Sequence, residues 1–307
     1  MTQSGIFIMP IKNLQNLYFT ETPVDVFHSD SNFELLIKRE DKTFAGFGVK
    51  TKKIHGLIQF LKQGNVKDIL LYGNPHSNFV STFATILYNE KFNVHSVFYT
   101  NDQSLITPNS ILSNRFSQTS IFIKSKANRD FYINEFKKGF PNGFVIPEFG
   151  IHEAGLKSMF YMWREMEGKN QFEYLFLDLG TGYTALTALE YFKDKNIRII
   201  GVAIGNREDK IKNDMAFNAE KLGLDKKILD RLEVLPPFTS PAFASKNKTL
   251  EDWIVNVWKE KKIPLEPIYS GKTLLTVTEY IRRQKLKGRG IYLHQGGLLN
   301  HLKYFKE

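Results

Sequence analysis

The chain contains no cysteine. That absence excludes a disulfide framework, thiolate metal sites and cysteine nucleophiles. The first residues lack a basic segment followed by an apolar core, so no signal peptide is expected and the protein is read as cytoplasmic. No uninterrupted apolar run approaches the roughly 18 residues needed to span a bilayer, so no membrane partner is expected. No pair of histidines or acids has metal-ligand spacing, and no metal is expected. Internal repeats and low-complexity segments are also missing.

The 307 residues present are enough for one large or two medium domains with a sizeable core. Hydrophobic residues make up 42 %, an ordinary globular value. The net charge of +10 raises the question of a nucleic-acid partner. The lysines, however, are scattered along helices with acids among them. The densest basic run, Arg282 to Arg289, follows an apolar helix as its solvated end. Nucleic acid is therefore not the expected partner.

One stretch organises the rest. Tyr174 to Leu179 is an apolar run of strand length, followed by Gly180-Thr181-Gly182-Tyr183-Thr184 and a helical segment, Ala185 to Phe192. Strand, tight glycine loop and helix start together make a phosphate cradle. Glycines let the backbone approach, and free N–H groups at the helix start point at the anion. Thr181 and Thr184 add hydroxyl donors. Two other readings stand beside it. Asp178-Leu-Gly-Thr-Gly182 also looks like the cofactor loop of S-adenosylmethionine-dependent methyltransferases, although the next strand ends Gly205-Asn206 with no acid for ribose hydroxyls. The third reading is a plain tight turn with no ligand.

Upstream, a glycine loop, Phe44 to Lys53, delivers Lys50 to the start of an amphipathic helix, Ile54 to Leu61. A lysine at a helix N-terminus is electrostatically disfavoured, which lowers its pKa, and a neutral amine is what imine formation requires. Three basic residues in four, Lys50, Lys52 and Lys53, also read as a solvated turn. Val66 to Tyr72 is a buried-type strand running into Gly73-Asn-Pro-His-Ser77-Asn78 and a helix, Phe79 to Tyr88. There Ser77 and Asn78 sit at or near the helix start, where capping is the expected structural role. Further strands are read at Glu34–Asp41, Val94–Tyr99, Ser120–Ile123, Phe144–Pro147, Ile197–Ile204 and Gly290–Leu293. Helices are read at Asn109–Arg115, His152–Glu167, Asp209–Lys221, Asp225–Leu232, Thr249–Lys261 and Thr273–Lys285. Tyr18–Thr20 and Asn32–Lys38 suggest a hairpin near the start. Strands alternating with helices predict α/β architecture with parallel sheets.

Taken in order, these loops resemble the pyridoxal-phosphate enzymes of the tryptophan synthase beta-subunit fold. The nearest branch is the one holding 1-aminocyclopropane-1-carboxylate deaminase and D-cysteine desulfhydrase. Phe47-Gly-Val-Lys50-Thr-Lys-Lys53-Ile resembles the family's G-G-N-K-T-R-K-L, whose first lysine bonds covalently to the cofactor. Gly73 to Asn78 resembles G-I-Q-S-N, where the asparagine bonds the cofactor's 3-hydroxyl and the loop holds the substrate carboxylate. Gly180 to Thr184 resembles the phosphate loop. Ile268-Tyr269-Ser270-Gly271-Lys272 resembles V-Y-[ET]-G-K, with the tyrosine near the substrate and the next residue at the pyridine nitrogen. His294-Gln-Gly-Gly297 resembles H-[TL]-G-G.

The resemblance implies a two-domain fold of type II. A smaller domain would span about residues 50–150, with 1–49 and 151–307 forming the larger one and pyridoxal 5'-phosphate in the cleft. It implies Lys50, Ser77 and Tyr269 as catalytic residues. Lys50, Asn78, Gly180, Thr181, Gly182, Tyr183, Thr184 and Ser270 would bind the cofactor. It also implies a small amino-acid substrate and a homodimer. Departures are Phe47, Val49, Leu186, Gln295 and Phe243, the last standing in Ser240-Pro-Ala-Phe243 where the deaminase has a second active-site tyrosine. A neutral Ser270 would not hold the pyridine nitrogen protonated, which favours β-elimination from a D-cysteine-like substrate over cyclopropane ring opening. The alternatives are the deaminase itself, a cofactor-binding relative without turnover, and the methyltransferase.

Overall fold

Runs such as Leu35-Leu36-Ile37, Leu175-Phe176-Leu177 and Ile291-Tyr292-Leu293 are apolar on both alternating faces, and all nine of these residues are buried. Such strands belong in parallel sheets covered by helices on each side. The computed structural model, which describes residues 20–169, 171–240, 242 and 245–305, has this arrangement. Among the described residues, the larger sheet holds β1 (Val24–Ser29), β2 (Phe33–Arg39), β7 (Tyr174–Leu179), β8 (Arg198–Ala203), β9 (Leu232–Leu235) and β10 (Gly288–His294). Their order is β1-β2-β10-β7-β8-β9, parallel except for the β1-β2 hairpin. The smaller sheet is wholly parallel, ordered β5 (Thr119–Ile123), β4 (Asn93–Tyr99), β3 (Asp68–Gly73) and β6 (Phe144–Val145).

Alternation sorts the larger core. Leu175, Leu177 and Leu179 pack with Met159, Met162 and Trp163 of α5 (Glu153–Lys169) and with Leu186 and Leu189 of α6 (Tyr183–Tyr191). Phe176 and Tyr292 face the other way, onto Ile254 of α8 (Lys248–Lys261) and Leu274 and Val277 of α9 (Ser270–Gln284). Asp178 lies on this second face by the same two-residue period.

The helix α1 (Val49–Gln63) joins the two sheets. Ile54, Leu57, Ile58 and Leu61 pack into the smaller core, with Phe83 of α2 (Asn78–Asn89). Its opposite side crosses α5 so closely that a Cβ on Gly56 would lie 2.0 Å from the Ala154 carbonyl oxygen. Lys50 thus starts a helix clamped from both sides.

Two elements escape a pattern reading. The helix α4 (Arg129–Gly139) fully buries only Phe136, and packs the half-buried Tyr132 and Ile133 beside it onto the smaller sheet. The segment read as a helix over Asp225–Leu232 is a 3-10 turn, Lys226–Arg231, running into strand β9, which buries Leu232 and Val234. At the start, Asp30 Oδ1 accepts from the N–H groups of Asn32 and Phe33 and closes the β1-β2 turn. Tyr18 and Phe243 lie outside the described residues. Among the described residues no helix is long and apolar enough to cross a membrane.

Candidate active site

The approach to Lys50 is set by backbone packing. Gly48 has φ +72°, and a Cβ there would sit 1.8 Å from the Gln295 carbonyl oxygen, so only glycine fits. The Val49 N–H donates to that carbonyl at 3.2 Å, and the Gly297 N–H donates to the Gly46 carbonyl at 2.7 Å. The loop after β10 and the start of α1 are therefore one welded unit. Among the described residues, Lys50 Nζ has no hydrogen-bond or ion-pair partner. Burial pushes its pKa down, while Asp178 and Glu266 pull the other way. One turn on, burial and the Lys50 charge bring Lys53 down to about 7. Lys53 Nζ donates to the Phe149 carbonyl at 2.9 Å and lies 4.1 Å from the centre of the Tyr183 ring.

The second loop lies at the carboxyl end of β7. Gly182, at φ +73°, is the N-cap of α6 and itself has no side chain to bond that turn. A Cβ on Gly182 would be 2.1 Å from Met215 Cγ. Thr184 Oγ1 donates to Gln295 Oε1 at 2.7 Å. The Thr181 carbonyl accepts from Asn218 at 3.2 Å, and Thr181 Oγ1 receives the Tyr183 N–H at 3.4 Å. The Tyr183 hydroxyl donates to the His152 carbonyl at 2.8 Å, so what it offers the loop is backbone rather than phenol. Tyr269 lies against Gly180, its Cε1 3.2 Å from where a Cβ would be. Burial raises the Tyr269 pKa, with Glu266 and Asp178 adding to the effect.

Ser77 caps α2: its Oγ accepts from the Val80 N–H at 3.2 Å. Asn78 Nδ2 donates to the Gly297 carbonyl at 3.0 Å, and its Oδ1 accepts from Asn109 at 2.7 Å. Asn78 is thereby fixed against the same β10 loop. Beside it, Pro75, His76, Leu105, Ile106 and Phe122 line a hollow of about 460 Å³.

Ser270 is almost fully buried and bound to Glu266. Its Oγ accepts the Glu266 N–H at 2.8 Å, and its own N–H donates to Glu266 Oε1 at 2.8 Å. Glu266 also receives the N–H groups of Ile268 and Tyr269, so this carboxylate caps α9. Lys272 Nζ holds an earlier loop through the Ser240 and Ala242 carbonyls and Ser245 Oγ. The ring of His294 is taken up structurally, by the Pro264 carbonyl at 2.6 Å on Nε2 and the Gly296 N–H at 3.2 Å on Nδ1.

Gln295 ties the parts together. Its carbonyl takes Val49 N–H, its Oε1 takes the Thr184 hydroxyl, and its Nε2 donates to the Asp178 carbonyl at 2.8 Å. From sequence it was only the variable position of a short motif. Asp178, Glu266 and Tyr292 were not read as site residues. The signal for Asp178 was available: an acid inside an apolar strand run is rarely buried without a role. Among the described residues no group of three or more His, Cys, Asp or Glu could hold a metal ion.

These features suit pyridoxal phosphate on their own chemistry. A helix start whose N-cap is a glycine suits its phosphate, and an amine without a partner suits its aldehyde. A strand-loop-helix site shared between two parallel α/β units defines the class. The fold is that of the pyridoxal-phosphate enzymes of fold type II, the tryptophan synthase beta-like architecture. Among solved structures, an ACC deaminase homologue aligns with a TM-score of 0.78 at 19 % identity, over 93 % of this chain and 92 % of that one. The processed form of threonine deaminase isoform 2 from Solanum lycopersicum aligns at 0.71 and 15 % identity, over 94 % and 87 %. O-ureido-L-serine synthase aligns at 0.67 and 12 %, over 93 % and 92 %. In sequence, the chain is 22 % identical over 305 residues to a Pyrococcus horikoshii protein provisionally named a 1-aminocyclopropane-1-carboxylate deaminase, covering 92 % of this chain and 91 % of that one. No family model matches. The resemblance carried by the loops is thus matched along nearly the whole chain.

Proposed function

We propose that the chain is a pyridoxal-phosphate-dependent enzyme resembling 1-aminocyclopropane-1-carboxylate deaminase, acting on a small amino acid. The observation that carries this reading is the Lys50 amine: desolvated, without a partner among the described residues, and joined through Gln295 to the Gly180–Thr184 loop. A half-buried amine left without a partner is kept where chemistry needs it. The cofactor would lie in the cleft between the unit of about residues 50–150 and the remainder. When bound, it supplies the electron sink for the bond broken at the substrate α-carbon.

The chain's own residues do the rest. Lys50 Nζ is the covalent anchor and the base for the α-proton. The backbone N–H groups of Gly180 to Thr184, the Lys53 amine and the Thr181 and Thr184 hydroxyls would hold the phosphate. Asn78 Nδ2, already steadied by Gly297, serves the ring hydroxyl. Ser77 and the start of α2 hold the substrate carboxylate, and Tyr269 covers the substrate side. Ser270 is neutral, its hydroxyl engaged with Glu266, so it would give the ring nitrogen no charge. That favours β-elimination from a D-cysteine-like substrate, expelling the β-substituent and, after hydrolysis, releasing a 2-oxo acid and ammonia. The resemblance also supports a homodimer. The S-adenosylmethionine reading loses ground, because β8 runs into Ile204-Gly205-Asn206 with no acid for ribose.

The test pairs a spectrum with an assay. Protein mixed with pyridoxal phosphate should gain a visible absorbance band that Lys50→Ala lacks. Pyruvate or 2-oxobutanoate release should follow with at least one of a panel of small D- and L-amino acids and 1-aminocyclopropane-1-carboxylate. A band without turnover of any of them would reduce the chain to a cofactor binder. No band at all would end the reading.

A further inference from the structure

Three asparagines, Asn78, Asn109 and Asn300, are joined by hydrogen bonds between the smaller unit and the segment after β10. Asn78 is half-buried at the start of α2, and a side-chain amide can sit either way round. Its neighbours decide which. On one side is the Gly297 carbonyl, which can only accept, and Asn78 Nδ2 donates to it at 3.0 Å. On the other is Asn109 Nδ2, which can only donate, and Asn78 Oδ1 accepts from it at 2.7 Å. The fit is close. Gly297 has φ +87°, and a Cβ there would lie 2.4 Å from Asn78 Nδ2. The second Nδ2 proton of Asn78 has no acceptor among the described residues.

Asn109 is pinned in turn. It is 1 % exposed, in the first turn of α3 (Pro108–Arg115). Its two Nδ2 protons go to Asn78 Oδ1 and to the His76 carbonyl at 3.1 Å, and its Oδ1 accepts from the Ser81 hydroxyl at 3.0 Å. Turning this amide over would set its oxygen against two other oxygens. Asn300, in the 3-10 segment Leu299–Phe305, closes the set. Its Oδ1 accepts the Asn109 backbone N–H at 3.1 Å, a helix-start donor with no partner inside the helix. Its Nδ2 donates to the same His76 carbonyl at 2.9 Å.

We propose that Asn109 is a positioning residue that fixes which way round Asn78 presents its amide, with Asn300 holding Asn109 in place. Asn78 then has a spare N–H, and not a spare oxygen, for the ring hydroxyl. The proposal rests on the reading that Asn78 serves that hydroxyl. Asn109→Asp removes both donors at nearly constant shape. Its carboxylate would face Asn78 Oδ1, so the Asn78 amide turns over to donate to it, because a buried pair of acceptors without a proton between them is costly.

Two measurements test this, and the first needs no cofactor. In the cofactor-free full chain, NMR should show a nuclear Overhauser contact between the Asn78 side-chain amide protons and a Gly297 α-proton. In Asn109→Asp that contact should fall severalfold. The Asn89 side-chain amide, which donates to the Thr85 carbonyl at 2.7 Å at the far end of α2, should be unchanged and reports an intact helix. The second measurement compares binding of pyridoxal 5'-phosphate and its 3-deoxy analogue by equilibrium dialysis. Asn109→Asp should shrink the wild-type preference for the hydroxyl-bearing form about tenfold, the size of one hydrogen bond, with affinity for the analogue held within about twofold. A general structural defect would weaken both ligands alike. Asn300→Ala keeps the Asn109 side chain and should shrink the preference by about threefold. An unchanged Overhauser contact or an unchanged preference in folded Asn109→Asp overturns the proposal, as does either result in Asn300→Ala should the first variant not fold. The cofactor reading fails separately, by the absence of a visible band with wild-type protein, and the Overhauser result then still decides the role of Asn109.

Discussion

Two kinds of lysine withdrawn from solvent occur in this chain, with Lys38, Lys53 and Lys272 buried and Lys50 half-buried. Lys38 is 1 % exposed and fully answered: its amine donates to the Thr22 carbonyl at 2.7 Å and pairs with Glu165. Lys272 is 0 % exposed and spends its amine on three acceptors of one loop. Lys53 has a single carbonyl and the face of a tyrosine ring. Lys50 has no such partner among the described residues. The first pair staples strands and loops. The second pair sits in the first two turns of α1, where the helix dipole already disfavours a cation. Charge withdrawn from water is kept in proteins when it is paired or when it is used, and these four residues divide along that line.

The largest effect that would sharpen the contrast is on the stapled side. Lys38→Met leaves Glu165 buried without its cation and should cost roughly 3–5 kcal/mol in urea unfolding. A loss below about 1 kcal/mol would mean that Lys38 is no more structural than Lys50.

Next comes pH. Folding lowers Lys53 from 10.5 to about 7. Between those values the unfolded chain holds a proton that the folded chain has released, so stability climbs as pH rises from about 7 toward 10.5. Below 7 both states are protonated and this contribution is flat. Lys53→Met should remove the climb; a wild-type slope in that variant would show that Lys53 is not desolvated.

Replacing Lys50 should move stability the other way. Lys50→Met exchanges an unanswered amine for a thioether and should gain about 0.5–2 kcal/mol while abolishing reaction with the cofactor. Destabilisation instead would place Lys50 with the staples. The smallest effect belongs to exposed pairs such as Lys210 and Asp214, 2.8 Å apart on α7 (Glu208–Lys221). Asp214→Asn should change stability by less than about 0.5 kcal/mol.

The sequence made some of this legible and hid the rest for physical reasons. The segment Tyr174 to Phe192 could be read because strand, glycine loop and helix start are contiguous, and their boundaries match within two residues. The delivery of Lys50 to a helix start was legible for the same local reason, although the helix begins five residues earlier, at Val49. What stayed hidden depends on sheet order. Gln295 reaches Asp178 and Thr184 because β10 lies beside β7, and the pairs are separated by 117 and 111 residues. The Tyr292–Asp178 contact spans 114 residues. Ser77 illustrates a different limit: its capping bond is plain in the structure, yet a cap and an acid/base group are compatible in one hydroxyl. Glu266 could have been suspected, as an acid just before a proline and a helix start.

The central claim is that Lys50 is an amine reserved for an aldehyde. Incubating the protein with pyridoxal phosphate, reducing with borohydride and mapping the modified peptide by mass spectrometry addresses it directly. The account predicts one cofactor mass per chain, fixed on Lys50. Labelling confined to Lys53 or to surface lysines, with Lys50 unmodified, would contradict it.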